Sequence, residues 1–380
     1  MERFPKGFLW GSATSSYQVE GGIENNDWAE AAREGKVPVC GRATDHYNRY
    51  ESDFDIAKSL GQNAHRLSIE WARIEPEEGR FDEREIEHYR KVLRSLRARN
   101  LEPFVTLWHF TLPLWFSKKG GFQNFDAPKL FARYCSYVVE KLGSEAQYWI
   151  TINEPLVWAS VGYRTGKWPP FKKNIFSFIF IINQLVKAHS LSYERMKKAS
   201  LNVLVGIAKN NIHFDSNILP WNTLLYFLAN WFWNERFLNK IKNYQDFIGL
   251  NYYFHKKFGV KEKLERTDMG WCVFPQGLYR LLVDLKKYGK PIYITESGIA
   301  DANDSKRANF IRDHVVFVKK AIDEGADVRG YFYWSLLDNY EWASGFKERF
   351  GLVEVNYETL ERKIRPSAFI YKKIAESSLL

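Results

Sequence analysis

Cysteine is scarce and scattered. Cys40, Cys135 and Cys272 are the three that occur in 380 residues, and an odd, widely spaced set suggests no disulfide framework. Long hydrophobic runs are also missing. The most apolar, IFSFIFII at 175–182, falls well short of the roughly 20 residues a spanning helix needs. The opening MERFPKGFLW lacks the apolar core of a secretion signal. A reducing, cytoplasmic setting is therefore expected. No glycine-rich dinucleotide fingerprint follows the first strand-like run, and no H-E-x-x-H or similar ligand spacing occurs. Neither a cofactor nor a metal is expected. Linkers and low-complexity tracts are absent, so residues 1–380 read as one domain.

Charge of one sign is not concentrated. The 55 Lys and Arg exceed the 45 Asp and Glu by ten, but basic and acidic residues mostly alternate, as in EREIEHYRKVLRSLRARN. That pattern describes solvated helix faces, and no nucleic-acid motif accompanies it. The expected partners are small molecules, with no nucleic acid and no membrane; the oligomeric state is open.

What the sequence has is aromatic content, 17% of residues, and a repeated alternation. Eight short apolar runs read as strands, near 7–14, 64–71, 102–109, 147–153, 203–209, 246–252, 291–295 and 328–335. Between them lie amphipathic stretches. Ile86, Tyr89, Leu93 and Leu96 share one helical face, as do Ile311, Val315, Val318 and Ile322. Asp126 and Gly143 are placed to start and end another helix. Eight strand–helix units predict an α/β fold, a closed (β/α)8 TIM barrel.

In such a barrel the chemistry sits at the C-terminal strand ends. The polar residues there are Gln18 with Glu20, His109, Asn153 with Glu154, Asn251 with Tyr253, Glu296, Trp334, Glu341 and Trp342. Singly each has a plain structural reading: His109 as a hydrogen-bonded core histidine, Trp334 as packing. Together they place amides, an imidazole, a phenol and indoles around two carboxylates, which suits a polyhydroxylated ring. A carboxylate pair is the machinery of glycoside hydrolysis.

These residues lie in segments that resemble a known family. FPKGFLWGSATSSYQVEGG, TINEP, DFIGLNYY, ITESG and YFYWSLLDNYEW…ERFGL are similar, in this order, to the signatures of family 1 glycoside hydrolases, the β-glucosidase and β-galactosidase family. The likeness runs from Phe4 to about Ile374. It implies a retaining β-glycosidase acting on terminal non-reducing β-linked neutral sugars, in small glycosides or short oligosaccharides. Glu154 would be the acid/base and Glu296 the nucleophile. Gln18, His109, Asn153, Asn251, Trp334, Glu341 and Trp342 would surround the sugar, with Phe350 at the pocket wall. Arg66 and Tyr253 would support the nucleophile. Glu154, where thioglucosidases carry glutamine, implies O-glycosides; Glu341, where phospho-glycosidases carry serine, implies a sugar without a 6-phosphate. A transglycosidase would use the same residues, and a non-catalytic sugar-binding descendant would have lost one of the glutamates.

Two departures stand out. Ser297 replaces the usual asparagine after the nucleophile, and the two glutamates are closer in sequence than the family pattern. The missing length falls between strands five and six, so a thin or incomplete helical wall is expected there. The aromatic stretch Leu224–Trp233 is the candidate to cover it, and an open aglycone side is the expected consequence.

Overall fold

The computed structural model describes residues 3–379. Among the described residues eight strands close into a barrel in chain order: β1 (Leu9–Ala13), β2 (Ala64–Ser68), β3 (Glu102–Trp108), β4 (Tyr148–Asn153), β5 (Leu204–Ser216), β6 (Phe247–Phe258), β7 (Ile292–Ser297) and β8 (Val328–Trp334); two short strands, Val353–Val355 and Arg362–Ile364, pair separately. Every neighbouring pair is parallel, with β8 returning to β1. Each of the eight runs read from sequence overlaps one of these strands, but β5, β6 and β7 run on past the ends expected at 209, 252 and 295.

The strands are buried on both faces, which is why they read as near-continuous apolar runs rather than alternating ones. Ala13, Ala64, Phe104, Ile150, Ala208, Phe247, Tyr293 and Phe332, one from each strand, form a cluster of their own, separate from the main core. Small and large residues complement one another here. A Cβ on Gly206 would meet the Phe247 ring at 2.6 Å, so the strand can pass only as glycine. The longer helices around the strands are α1 (His46–Ser59), α2 (Glu83–Ala98), α3 (Ala127–Leu142), α4 (Ile175–Ala199), α5 (Pro220–Asn230), α6 (Arg236–Ile241), α7 (Pro275–Leu285), α8 (Arg307–Asp323) and α9 (Pro366–Ser377), and all but α5 bury an apolar side against the barrel. Ile86, Tyr89, Leu93 and Leu96 are buried on α2, and Ile311, Val315 and Val318 on α8, as their spacing requires.

Three local expectations change. Asp126 does stand before α3, but its side chain caps no backbone N–H and instead accepts from Lys129 Nζ at 3.1 Å. The apolar run at 175–182 continues as a 25-residue helix, α4, long and apolar enough to cross a membrane by composition. Its buried side, including Phe178, Ile181, Ile182 and Leu185, belongs to the barrel's main core.

The third change concerns strands five and six. Both run on past the barrel. β4 leaves β5 at the Asn153–Ala208 pair and β7 leaves β6 at Asn251–Glu296, yet β5 and β6 stay paired through Ser216–Phe258. The result is a two-stranded ribbon standing above the mouth. The cover over this part of the barrel comes from α6, whose Phe237, Leu238 and Ile241 are fully buried. Of Leu224–Trp233 only the end, Phe232 and Trp233, packs against the core; on α5 the only buried residue is Asn222.

Candidate active site

β4 delivers Asn153 as its last residue, and Glu154 follows with φ of +44°, in the left-handed region. That conformation is uncommon for a residue with a side chain. It is held here by the Glu154 N–H bonding the Ala208 carbonyl at 2.8 Å, and by Pro155 opening the next helical turn. Proline at that position removes no needed hydrogen bond and fixes its own φ. The strand end, the αL residue and the proline together set the direction of the carboxyl group.

Glu154 Oε1 accepts from Asn251 Nδ2 at 2.9 Å and from Asn210 Nδ2 at 3.2 Å. Both donors are neutral amides. Burial and the negative charge of Glu296 push its carboxyl up to about 8. Glu296, near the end of β7, has a different environment. Arg66 Nη1 donates to its Oε1 at 2.5 Å and Tyr253 Oη to its Oε2 at 2.8 Å. Burial raises this carboxyl too, and it stays above the usual carboxylate range although the Arg66 cation and these hydrogen bonds oppose the rise. A paired cation and a neutral amide shell thus hold two buried carboxyls apart in acidity. Gly298 makes room behind: a Cβ there would lie 1.8 Å from the Trp334 carbonyl oxygen.

Arg66 is 1% exposed and makes four hydrogen bonds. Its remaining groups donate to Thr106 Oγ1 (3.1 Å), the Thr295 carbonyl (3.2 Å) and Asn153 Oδ1 (2.7 Å). Asn153 in turn lies 3.1 Å from His109 Nε2 through its Nδ2. Since the amide nitrogen must donate, Nε2 accepts and the imidazole proton sits on Nδ1, a buried atom with no protein partner. Burial and the Arg66 charge hold His109 well below the usual histidine range, so the ring is neutral.

A cavity of about 240 Å³ opens over these groups, lined by His109, Asn153, Glu154, Tyr253, Glu296, Trp334, Glu341, Trp342 and Phe350 among others. Trp334 and Trp342 lie nearly parallel to the His109 ring, at interplanar angles of 19° and 12°. Glu341 is a third carboxyl, half-buried on the cavity wall and pushed up to about 8 by desolvation and by Glu296 and Glu154. Gln18 is placed behind it rather than on the wall. Its Nε2 donates to Asn339 Oδ1 at 3.0 Å and the Tyr340 carbonyl at 2.8 Å, with Glu341 Oε2 at 3.5 Å. Asn251 likewise backs the carboxylates. Glu20 belongs elsewhere, bound to Arg73 at 2.9 Å and Tyr89 at 2.8 Å.

Sequence reasoning missed several residues. Asn210 could have been found: Ala208 faces the barrel interior, and period two puts Asn210 next on that side. Lys209, between them, is 1% exposed and donates to the Asn210 carbonyl at 2.5 Å; burial lowers its amine to about 7, with Glu154 opposing. Trp168, Phe254, Met269 and Trp271 also line the cavity. The flank after β6 is therefore walled by aromatic rings, not open as its short loop suggested.

The model of glycosyl hydrolase family 1 matches residues 1–216 and 254–379. The chain belongs to that family. The unmatched interval contains α5, α6 and most of β6. A 1,4-beta-D-glucan glucohydrolase of Thermotoga neapolitana is 33% identical over 440 residues, covering 100% of this chain and 99% of its own. Among solved structures, a beta-glycosidase from Pyrococcus horikoshii superposes with a TM-score of 0.93 at 41% identity, over 99% of this chain and 95% of that one. A beta-glucosidase from Thermotoga maritima in complex with glucoimidazole gives 0.96 at 32%, with 100% coverage of both.

Proposed function

We propose that this family 1 glycosidase is a retaining β-glycosidase that removes terminal non-reducing neutral sugars from β-glycosides, glucosides or galactosides in the first place. The observation that carries the reading is the contrast between the two buried glutamates. Glu296 is paired with Arg66 and Tyr253 and is the group suited to attack as a carboxylate. Glu154, bonded only to amides and pushed up to about 8, is suited to begin protonated. Glu154 protonates the departing oxygen while Glu296 bonds to the anomeric carbon. With the leaving group gone, Glu154 is a carboxylate and takes a proton from water, which displaces Glu296. Two inversions return the β configuration.

The surrounding residues receive roles from their free valences. His109 Nδ1–H, unpartnered and buried, donates to a sugar hydroxyl. Asn153 and Glu341 bind further hydroxyls, with Gln18 and Asn251 holding them in place. Trp334, Trp342 and Phe350 supply apolar ring surface. Thermotoga maritima beta-glucosidase holds glucoimidazole, a sugar-like inhibitor, which supports a glycoside as the ligand here.

The test is stereochemical and kinetic. NMR of early hydrolysis should show the β-anomer first; initial α-anomer would exclude double displacement. Glu296→Gln should abolish turnover. Glu154→Ala should slow substrates with poor leaving groups far more than activated aryl glycosides, with azide restoring turnover of the latter as a β-glycosyl azide.

A further inference from the structure

We propose that the rim of the barrel formed by α5 and the loop before α4 is a docking face for an anionic lipid surface. α5 is built inside-out. Its one buried residue is Asn222, which donates to Asn217 Oδ1 at 2.7 Å, and the following Asn234 bonds both the N–H and the carbonyl of Ile212 at the ribbon edge. The polar residues face the protein. Trp221, Leu224, Leu225, Phe227, Leu228 and Trp231 face solvent, each 48–61% exposed. At 100° per residue these six span a broad continuous face. No charged residue occurs from Ser216 to Asn234. An exposed apolar surface of this kind, bearing tryptophans, marks an interaction face rather than ordinary solvent-facing protein.

The face does not end with α5. The start of α4 lies beside it: the buried Phe178 ring packs on the half-buried Phe232 ring at 5.9 Å, and Ile175 and Phe176 just before Phe178 are exposed. Immediately before them come Arg164, Lys167, Lys172 and Lys173, all exposed, and no acidic residue occurs between Pro155 and Tyr193. Lys256, Lys261 and Lys263, on the other side of the ribbon tip, are exposed as well. An apolar face bordered by cations matches an anionic headgroup layer over an acyl interior. A second copy of the chain is the less suitable occupant. A two-fold contact through α5 pairs the same patch on both subunits, which would bring these basic loops toward their own copies. The expectation of no membrane partner concerns crossing a bilayer; α4, the helix apolar enough to cross one, buries one side in the barrel's core, and lying against a bilayer is a separate matter.

The face also has a defined orientation. α5 starts at the ribbon tip, where the Asn217 N–H bonds the Phe258 carbonyl at 3.1 Å, and the basic loop carries Trp168 of the cavity wall. Both therefore lie at the end of the barrel where Glu154 and Glu296 open. Docking would hold that end toward the lipid.

The experiment is co-sedimentation of the full chain with phosphatidylcholine vesicles, with and without phosphatidylglycerol. The chain should bind the phosphatidylglycerol vesicles and release with added salt. Leu224→Asp with Phe227→Asp, and separately Lys172→Glu with Lys173→Glu, should each weaken binding on the order of tenfold or more, with turnover of a soluble aryl glycoside unchanged. In the unaltered protein, residues 218–232 should gain protection from hydrogen exchange when those vesicles are added. No binding to either vesicle, or binding unaffected by both double substitutions, would overturn the proposal. So would a dimer in sedimentation velocity that the α5 substitutions dissociate while no vesicle binding occurs.

Discussion

Arg66 on β2 and Glu296 on β7 are 230 residues apart in sequence and meet at 2.5 Å across the barrel mouth. Both are almost wholly buried, at 1% and 5% side-chain exposure. A pair this far from water carries a large desolvation cost, which the Coulomb attraction and the extra bonds to Thr106, Asn153 and Tyr253 offset. The Arg66 cation favours the ionised form of Glu296 against the burial that raises it, and in the proposed mechanism that asymmetry lets two glutamates take different parts in one reaction.

Arg66→Met should therefore move the acidic limb of the kcat/KM profile upward. Arg66 lowers the Glu296 carboxyl, and without it Glu296 stays protonated to higher pH. The basic limb should reflect Glu154, with activity falling as pH rises through about 8. An acidic limb that stays in place in the variant, with chemistry rate-limiting, would show that Glu296 does not depend on Arg66. The same change should destabilise the fold by about 3–5 kcal/mol at neutral pH, since it strands a buried charge.

Glu341 gives a pH-dependent stability effect with a definite sign. Its carboxyl is raised from 4.5 to about 8, so the folded state holds the proton more tightly than the unfolded chain. Stability from this group is complete below the unfolded value near 4.5 and is lost as pH rises through about 8. Glu341→Gln, which mimics the protonated acid, should gain in Tm relative to the native protein between those limits. A Tm difference that is flat across the window would show that Glu341 is not protonated on folding.

The barrel interior should be far less tolerant than the α5 face. Phe104 is fully buried and stacks on Tyr148 at 4.2 Å and 6°, with Phe332 at 4.7 Å and Tyr293 at 5.0 Å. Phe104→Ala should cost about 3–5 kcal/mol in urea unfolding, because the rigid strands cannot collapse into the space. Phe227→Ala, at a ring 60% exposed, should change stability by no more than about 0.5 kcal/mol. Equal losses at the two sites would mean that α5 packs on something it does not touch here.

The contrast between those two phenylalanines also marks how far the sequence could be read. Strand positions were legible because each strand is buried on both faces, and the eight-fold alternation left few topologies. Glu154, Glu296, Arg66 and their neighbours were legible because the carboxylates end strands beside signature residues. The role of Gln18 behind Glu341, rather than on the cavity wall, was not, because the bonds that fix it come from a loop 321 residues away. Nor was the direction of α5. Its apolar residues have the spacing of a core-facing helix, and periodicity tells which residues share a face but not which way the face points. Only Asn222 and Asn234, tying the helix to the ribbon by its polar side, decide that.

Trp271 offers the last test, in the short loop that seemed to leave one flank bare. Its ring contacts Phe254 at 4.7 Å, Tyr253 at 5.6 Å and Phe350 at 6.1 Å, and it lines the cavity. Tyr253 is also the phenol that donates to Glu296. Truncating Trp271 should thus remove ring surface from the wall and free Tyr253 to tilt away from Glu296. Trp271→Ala should raise KM for aryl glycosides on the order of tenfold, from lost aromatic contact. It should also lower kcat, because Glu296 loses an ordered hydrogen bond. Trp271→Phe keeps a ring against Tyr253 and should restore kcat while leaving KM partly raised. That split separates support of Tyr253 from plain wall packing: if phenylalanine recovers KM and kcat in equal proportion, Trp271 acts only as wall.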